Sequence, residues 1–356
     1  MSDGIRVLLV DDSRVHRRAL SGYIEASPAL ILCGSAADGA EAVDKVRALK
    51  PDIVLMDVQM PIMDGLAATR EIMSELPTPI LLMTAADNYA REVDLGLRAL
   101  SFGALDLIPK PDFASLTGDK GDALASRLQL LAGVPVIHHP RGGGSSRPRP
   151  IRDSSSANRS HSTGYFRRAR RVVGIVASTG GPRALSQIFA ALPADLPAAV
   201  VVVQHIAQGF EEGLARWLNE NSPLQVSLGG DSSPLMTGQG LVAPQGFQCS
   251  FDDQRKLRLV TPSEILPGHH YPSGDHLLAS LAASHGRNAV GVVLTGIGSD
   301  GATGLSAIRE AGGGTLAQDE ETSVVYGMPK EAANSGAAQR VLPISEIAAA
   351  IVRLVE

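Results

Sequence analysis

The chain has 356 residues, 44% hydrophobic and 19% charged, with a formal charge of −5; that balance belongs to a globular protein and excludes general disorder. At roughly 150 residues per domain there is room for two domains or three, and aromatics at 4% leave the cores to aliphatic residues and alanine. Mild acidity gives no reason to expect nucleic acid, apolar runs such as Ala198–Val203 fall well short of the ~18 residues of a membrane span, and the acidic pair Asp11–Asp12 arrives before a signal-like stretch develops. With two distant cysteines, Cys33 and Cys249, a reduced, cytoplasmic setting without membrane insertion is expected.

Short aliphatic runs come first, at Ile5–Val10, Leu30–Cys33, Ile53–Met56, Ile80–Met83 and Leu105–Ile108, separated by alanine-rich stretches of helical spacing such as Gly39–Leu49 and Leu66–Glu75. Strands of this length alternating with helices imply parallel pairing through right-handed crossovers. The segment His138–Arg171 breaks the pattern: nine arginines, one acid (Asp153), no lysine and fourteen Gly, Pro or Ser residues. It carries +8 while the remainder of the chain carries −13, and it reads as an extended linker, either a solvated spacer or a strip that docks on an acidic neighbour. The strand–helix alternation then returns at Val172–Ala177, Pro182–Ala191, Ala199–Val203 and Ala289–Leu294. The expected organisation is a domain over 1–132, a linker over 133–170 and a second domain over 171–356. Both domains are read as open, doubly wound parallel α/β sheets, whose sites lie at the carboxyl ends of strands.

The residues at those strand ends carry chemistry. Asp11 and Asp12 follow the first strand, Asp57 the third, Thr84 the fourth and Lys110 the fifth. Three carboxylates on one rim repel one another, and a hard divalent cation such as Mg²⁺, which takes a few carboxylates and waters, relieves them. A lysine and a hydroxyl beside the cluster suit a doubly charged oxyanion that is present only some of the time.

The segments Leu9-Val10-Asp11-Asp12-Ser13, Met56-Asp57-Val58-Gln59-Met60-Pro61, Asp64-Gly65, Met83-Thr84-Ala85 and Pro109-Lys110-Pro111 resemble the receiver domain of response regulators, with its flavodoxin-like fold. The resemblance implies phosphorylation of Asp57 by a histidine kinase of the chemotaxis type. It also implies Mg²⁺ held by Asp12, Asp57 and the carbonyl of Gln59 with help from Asp11, and phosphoryl oxygens bound by Thr84 and Lys110. Three positions before the lysine, where receivers carry an aromatic switch residue, this chain has Leu107, which leaves Thr84 to transmit the change.

In the second domain, Val172–Ala177 runs into Ser178-Thr179-Gly180-Gly181-Pro182 and a helix. A serine on a strand-to-helix turn is expected to be exposed, with helix N–H groups and a positive dipole end behind it; phosphate binding and oxyanion stabilisation both use that geometry. The domain has no G-x-x-x-x-G-K-[ST] loop. Its glycine spacing also fails the dinucleotide fingerprint, and the next strand ends in Gln204-His205 rather than an acid. A histidine facing the serine favours base chemistry, because serine needs its proton accepted during attack. The turn Thr295-Gly296-Ile297-Gly298-Ser299-Asp300-Gly301 places Asp300 at a further strand end, where it can orient His205.

Ala177–Pro182, Gln204-His205, Leu294–Ala302, Ala317-Gln318-Asp319 and Val325-Tyr326-Gly327-Met328-Pro329 together resemble the chemotaxis protein-glutamate methylesterase (CheB) family, as does the order receiver, linker, Rossmann-like esterase. That family hydrolyses γ-glutamyl methyl esters on methylated chemoreceptors and often deamidates receptor glutamines, without a cofactor for the ester chemistry. The resemblance implies Ser178 as nucleophile, His205 as base and then acid, Asp300 as its orienting carboxylate, Thr179 beside the nucleophile and the Ile297 N–H as an oxyanion donor. It also implies that an unphosphorylated receiver covers the Ser178 cleft. Two cleft segments depart from the family. Residues 244–249 lack the usual Ala-Pro-Gly-x-x-His, with Gln248 or Cys249 in the histidine's place, and in 268–275 the basic residue before Pro-Ser-x-Asp is Tyr271. His269 and His270 have no partner cysteine or carboxylate at metal-ligand spacing. The altered segments keep open a hydrolase acting on a different methyl ester, and a non-catalytic phosphate sink is the alternative from another class.

Overall fold

The computed structural model describes residues 4–84, 89–111, 119–136, 167–262 and 270–356. Ala85, Gly268, His269 and residues 137–166, most of the expected linker, lie outside the described residues.

The first domain is a five-stranded parallel sheet. Its strands are β1 (Ile5–Val10), β2 (Leu30–Ala36), β3 (Ile53–Asp57), β4 (Ile80–Thr84) and β5 (Asp106–Pro109), in the order β2-β1-β3-β4-β5. Strands β3 and β4 are buried along their whole length, which is why they read as unbroken aliphatic runs rather than alternating ones. The helices are α1 (Arg14–Ala26), α2 (Gly39–Leu49), α3 (Gly65–Glu75), α4 (Tyr89–Ser101) and α5 (Asp119–Ala132). Ser13, Asp38 and Asp64 cap α1, α2 and α3 through side-chain acceptance of backbone N–H groups, so three helices start where a short polar residue follows a strand.

The second domain is a seven-stranded parallel sheet, and around its centre lie β6 (Arg171–Ala177), α6 (Gly181–Ala191), β7 (Ala198–Gln204) and α7 (Glu211–Glu220). On one flank are β8 (Gln225–Leu228) and β9 (Gln239–Val242). On the other are β12 (Ala289–Val293), β13 (Gly314–Gln318) and β14 (Arg340–Leu342), giving the order β14-β13-β12-β6-β7-β9-β8. Helices α8 (Gly274–His285), α9 (Ala302–Glu310), α10 (Met328–Asn334) and α11 (Ile344–Val355) complete the layers. The chain is already attached to this domain at Arg167, whose carbonyl accepts the Thr237 N–H, and at Ala169, whose N–H donates to Leu235.

One element has no counterpart in the strand–helix reading. Residues Gln248–Phe251 form β10 and pair antiparallel with β11 (Leu257–Val260), so the end of the altered 244–249 segment is a strand and not a loop. The hairpin packs on α8, where Ser280 Oγ accepts the Phe251 N–H at 2.9 Å.

Both sheets reverse direction once. The first does so between β1 and β3, the second between β6 and β12, and these crevices are where doubly wound sheets place their ligands. The domains meet along two helices. Val93 of α4 stands 2.5 Å from where a Cβ on Gly213 of α7 would lie, and Arg216 of α7 pairs with Asp94 of α4 at 3.1 Å. No described helix is long and apolar enough to cross a membrane.

Candidate functional site

At the first crevice, Asp11 and Asp57 are buried and Asp12 is exposed, with ligand oxygens of all three within 4.8 Å of one another. Lys110 follows β5 and donates to Asp57 Oδ2 at 2.6 Å, with Asp11 Oδ2 at 3.1 Å. Its position is fixed by its own N–H on the Thr84 carbonyl at 2.8 Å. Burial works against the ammonium, yet Asp57 and Asp11 outweigh it and raise Lys110 above its ordinary value. Burial pushes the Asp57 carboxyl up to about 6; Lys110 pulls against that rise and Asp11 adds to it. One lysine among three carboxylates leaves negative charge in excess. An all-oxygen donor set of three carboxylates within 4.8 Å of one another fits a hard divalent cation such as Mg²⁺. Thr84 is fully buried at the end of β4, and Gln59 lies two residues past Asp57, whose Oδ1 accepts its N–H at 3.4 Å.

At the second crevice, Ser178 follows β6 and His205 follows β7, held side by side because the Ala177 carbonyl accepts the His205 N–H at 2.9 Å. The Thr295 carbonyl accepts the Ser178 N–H at 3.0 Å, and a Cβ on Gly296 would lie 2.6 Å from Ser178 Cβ. Only glycine lets the turn after β12 come that close. That turn brings Asp300 to His205, with Nε2 and Oδ2 2.8 Å apart. Asp300 also accepts from Ser273 Oγ (2.9 Å) and from the N–H groups of Gly274 (2.6 Å) and Asp275 (2.9 Å) at the start of α8. Burial opposes its ionisation, but the His205 hydrogen bond and these N–H donors prevail and hold the carboxyl well below the usual range. Oδ2 therefore accepts from Nε2–H, which leaves the lone pair on Nδ1. That atom is buried and has no hydrogen-bond partner among the described residues.

One expectation is corrected here. Ser178 is buried, with 8% of its surface accessible, rather than exposed. The first domain reaches the turn that carries it: Arg127 of α5 donates from Nη2 to Asp106 Oδ2 at 2.7 Å and to Thr179 Oγ1 at 3.0 Å. One position before Tyr271, His270 stacks on His205 with ring centroids 3.8 Å apart and planes inclined by 14°.

Several residues of the quoted segments make contacts that the sequence did not assign. Gln204 donates to the Ser178 carbonyl at 2.7 Å, and Thr295 Oγ1 donates to the Thr179 carbonyl at 2.9 Å. Gln248 donates to the His270 carbonyl at 3.0 Å and accepts from the Ser273 N–H at 2.8 Å. Ile297 lies 43% exposed on the rim, facing a cavity it shares with Leu130 and Val134 of the first domain.

The family model described as CheB methylesterase matches residues 173–351, and that of the response regulator receiver domain matches residues 7–118. A protein-glutamate methylesterase/protein-glutamine glutaminase of Anaeromyxobacter dehalogenans is 45% identical over 98% of this chain and 96% of its own. The chain belongs to the CheB methylesterase family. A second relative of the same description from Carboxydothermus hydrogenoformans is 37% identical over 96% of this chain and 97% of its own. The solved CheB methylesterase catalytic domain of Thermotoga maritima is 35% identical and superposes with a TM-score of 0.50, covering 52% of this chain and 98% of that one. A CheB-family chain is thus a receiver joined to an ester hydrolase, in the order found here.

Proposed function

We propose that this CheB-family chain is a phosphorylation-controlled protein-glutamate methylesterase that acts in the cytoplasm on methylated chemoreceptors, with Ser178, His205 and Asp300 as its catalytic residues. The observation that carries the reading is the Asp300–His205 pair at 2.8 Å beside a strand-end serine. Ionised Asp300 fixes Nε2 as the protonated nitrogen, and the Nδ1 lone pair takes the Ser178 proton as Oγ attacks the ester carbonyl. Negative charge on the carbonyl oxygen is stabilised by the α6 N-terminus and the Ile297 N–H, with Thr179 helping to fix the turn. His205 then gives its proton to the departing methoxide, which leaves as methanol. Water repeats the sequence on the acyl-enzyme and frees the glutamate carboxylate and Ser178. An amide reaches the same acyl-enzyme by losing ammonia, so the glutaminase activity in the relatives' names needs no other residues.

In the receiver, Asp57 accepts a phosphoryl group from a histidine kinase. Asp11, Asp12, Asp57 and the Gln59 carbonyl would hold Mg²⁺, which supplies positive charge against the carboxylates and the phosphoryl group. Lys110 and Thr84 bind phosphoryl oxygens. The test is methanol release from methylated receptor, with and without a small phosphodonor plus Mg²⁺. Stimulated release that Ser178→Ala abolishes supports the reading. Phosphorylation of Asp57 with no Ser178-dependent release from any receptor overturns the substrate, leaving another ester or a phosphate sink.

A further inference from the structure

His205 is held by a single side-chain hydrogen bond, from Nε2 to Asp300. One such bond fixes a point on a ring and not its plane, and Nδ1 has no hydrogen-bond partner among the described residues to supply a second point. An imidazole held this way can pivot and carry its basic lone pair away from the neighbouring serine. Packing against the ring face is the remaining way to fix the plane. His270 supplies that face, nearly parallel at 14° and 3.8 Å between centroids.

The main chain around His270 is braced by the two segments that depart from the family sequence. Gln248 grips the backbone on either side of Tyr271 and Pro272, at the His270 carbonyl and the Ser273 N–H. The Gly246 N–H donates to the Tyr271 carbonyl at 2.9 Å. Gln245 ties the same loop to the carbonyl of Gln204, the residue before His205, at 3.1 Å. Ser273, at the far end, donates to Asp300. Both histidines and the carboxylate are therefore linked into one hydrogen-bonded frame, and the glutamines in the altered segment are its cross-members.

We infer that His270 is a positioning residue of the esterase, whose ring face fixes the plane of His205 so that Nδ1 can be presented to Ser178 when Oγ attacks. The inference rests on the assignment of His205 as the base. It says what the altered segments do: they set a second ring on the first.

The decisive experiment compares His270→Ala with His270→Phe in the full-length, phosphodonor-activated protein, using methylated receptor as substrate. His270 is exposed, so both variants should fold. The alanine variant should lose about tenfold in kcat, the scale of a modest misalignment of reacting groups, with KM within about twofold of wild type. The phenylalanine variant should recover kcat to within about threefold. An alanine variant with wild-type kcat, a phenylalanine variant as slow as alanine, or a loss confined to KM would each overturn the inference. A second measurement needs no substrate. In ¹³C-histidine-labelled protein, the His205 ring signals should be displaced by the His270 ring current, and lose that displacement and broaden in the alanine variant only. Unchanged His205 signals in His270→Ala would overturn the inference even if no methylated receptor proved to be a substrate, whereas a wild type inactive on every receptor with His205 signals responding as expected would remove the proposed substrate alone.

Discussion

Arg127 offers the sharpest test of how the two domains are coupled. It belongs to the receiver but touches the residue after Ser178, donating from one nitrogen to Asp106 Oδ2 at 2.7 Å and to Thr179 Oγ1 at 3.0 Å. The bond to Asp106 lies within the receiver and persists when the domains part; only the bond to Thr179 distinguishes closed from open. A charge-assisted hydrogen bond contributes about 1.5–3 kcal/mol. With the Arg127 side chain 29% exposed and a neutral acceptor, about 1–1.5 kcal/mol is the appropriate share. Since 1.4 kcal/mol is tenfold, Arg127→Ala should raise hydrolysis by the unphosphorylated protein about five- to twelvefold while the closed form predominates. The phosphodonor-stimulated maximum should stay where it is.

The complication is Asp106, whose side chain is only 8% exposed and would be stranded without its cation, at a cost on the order of 3 kcal/mol to the receiver. The double variant Asp106→Asn/Arg127→Ala removes the stranded charge. If both variants raise basal methanol release equally, the Thr179 contact is the latch. Basal release unchanged in both, with stimulation intact, would refute the reasoning and move the closing energy to the contact between α4 and α7.

That second contact has its own test: a Cβ at Gly213 would meet Val93 Cγ1 at 2.5 Å, so Gly213→Ala should push α4 away and raise unstimulated hydrolysis several-fold, read in the same assay. Asp57→Asn should abolish phosphorylation and also stabilise the Mg²⁺-free receiver. The Asp57 carboxyl lies above its ordinary 3.8, at about 6, so the folded state binds the extra proton between those values and stability falls as pH rises through that window. The variant should gain on the order of 2–3 kcal/mol at pH 7 and nothing below about pH 4, measured by urea unfolding of the receiver transition; an equal gain at both pH values would refute it. Asp300→Asn should lower kcat by about 10²–10⁴. The Asp300 carboxyl is held below the usual range, so its stabilisation is present above its unfolded value and is lost only in strong acid. The acid limb of the wild-type activity profile should therefore fall at a pH that Asp300 does not set, and a limb that Asp300→Asn removes would contradict this.

Much of the fold and both sites could be read from the chain because their residues stand at strand ends, where an aliphatic run gives way to a polar residue. Asp11, Asp57, Thr84 and Lys110 in one sheet, and Ser178 and His205 in the other, all sit at such breaks, and Asp300 lies in the glycine-rich turn that follows β12. Strand limits were less legible for a related reason. The apolar signal of β7 stops at Val203, but the strand continues through Gln204, whose buried side chain donates through Nε2 to the Ser178 carbonyl. Arg127 gave no signal, because an arginine on an amphipathic helix looks like any solvated charge until another domain is docked on it. Ser178 looked exposed for the same reason. The β10–β11 pair is four residues a side, too short for a period to show, and a stack between His270 and His205, 65 residues apart in the chain, leaves no trace in spacing.

The leucine at the receiver's usual aromatic position finds its explanation in β5. Within five residues this strand and its exit carry Asp106, which holds Arg127; Leu107; and Lys110, which holds Asp57. Leu107 is buried beneath α4, its Cδ2 2.6 Å from where a Cβ on Gly96 would stand, and α4 carries Val93 and Asp94 onto α7. An aromatic rotamer signals by swinging between an inner and an outer position; a leucine clamped against a glycine has no outer position to take. Beside Thr84, it is expected to transmit by displacement. If Lys110 leaves its carboxylates for a phosphoryl oxygen, the exit of β5 is expected to move with it, and a close-packed interior passes such a shift to its neighbours rather than absorbing it. Leu107 is then expected to press α4 against Gly213, and Asp106 to shift Arg127 against Thr179. The α4–α7 and Arg127–Thr179 contacts are thus both tied to one strand whose exit holds Lys110, which is the route by which a receiver without the aromatic is expected to reach the serine.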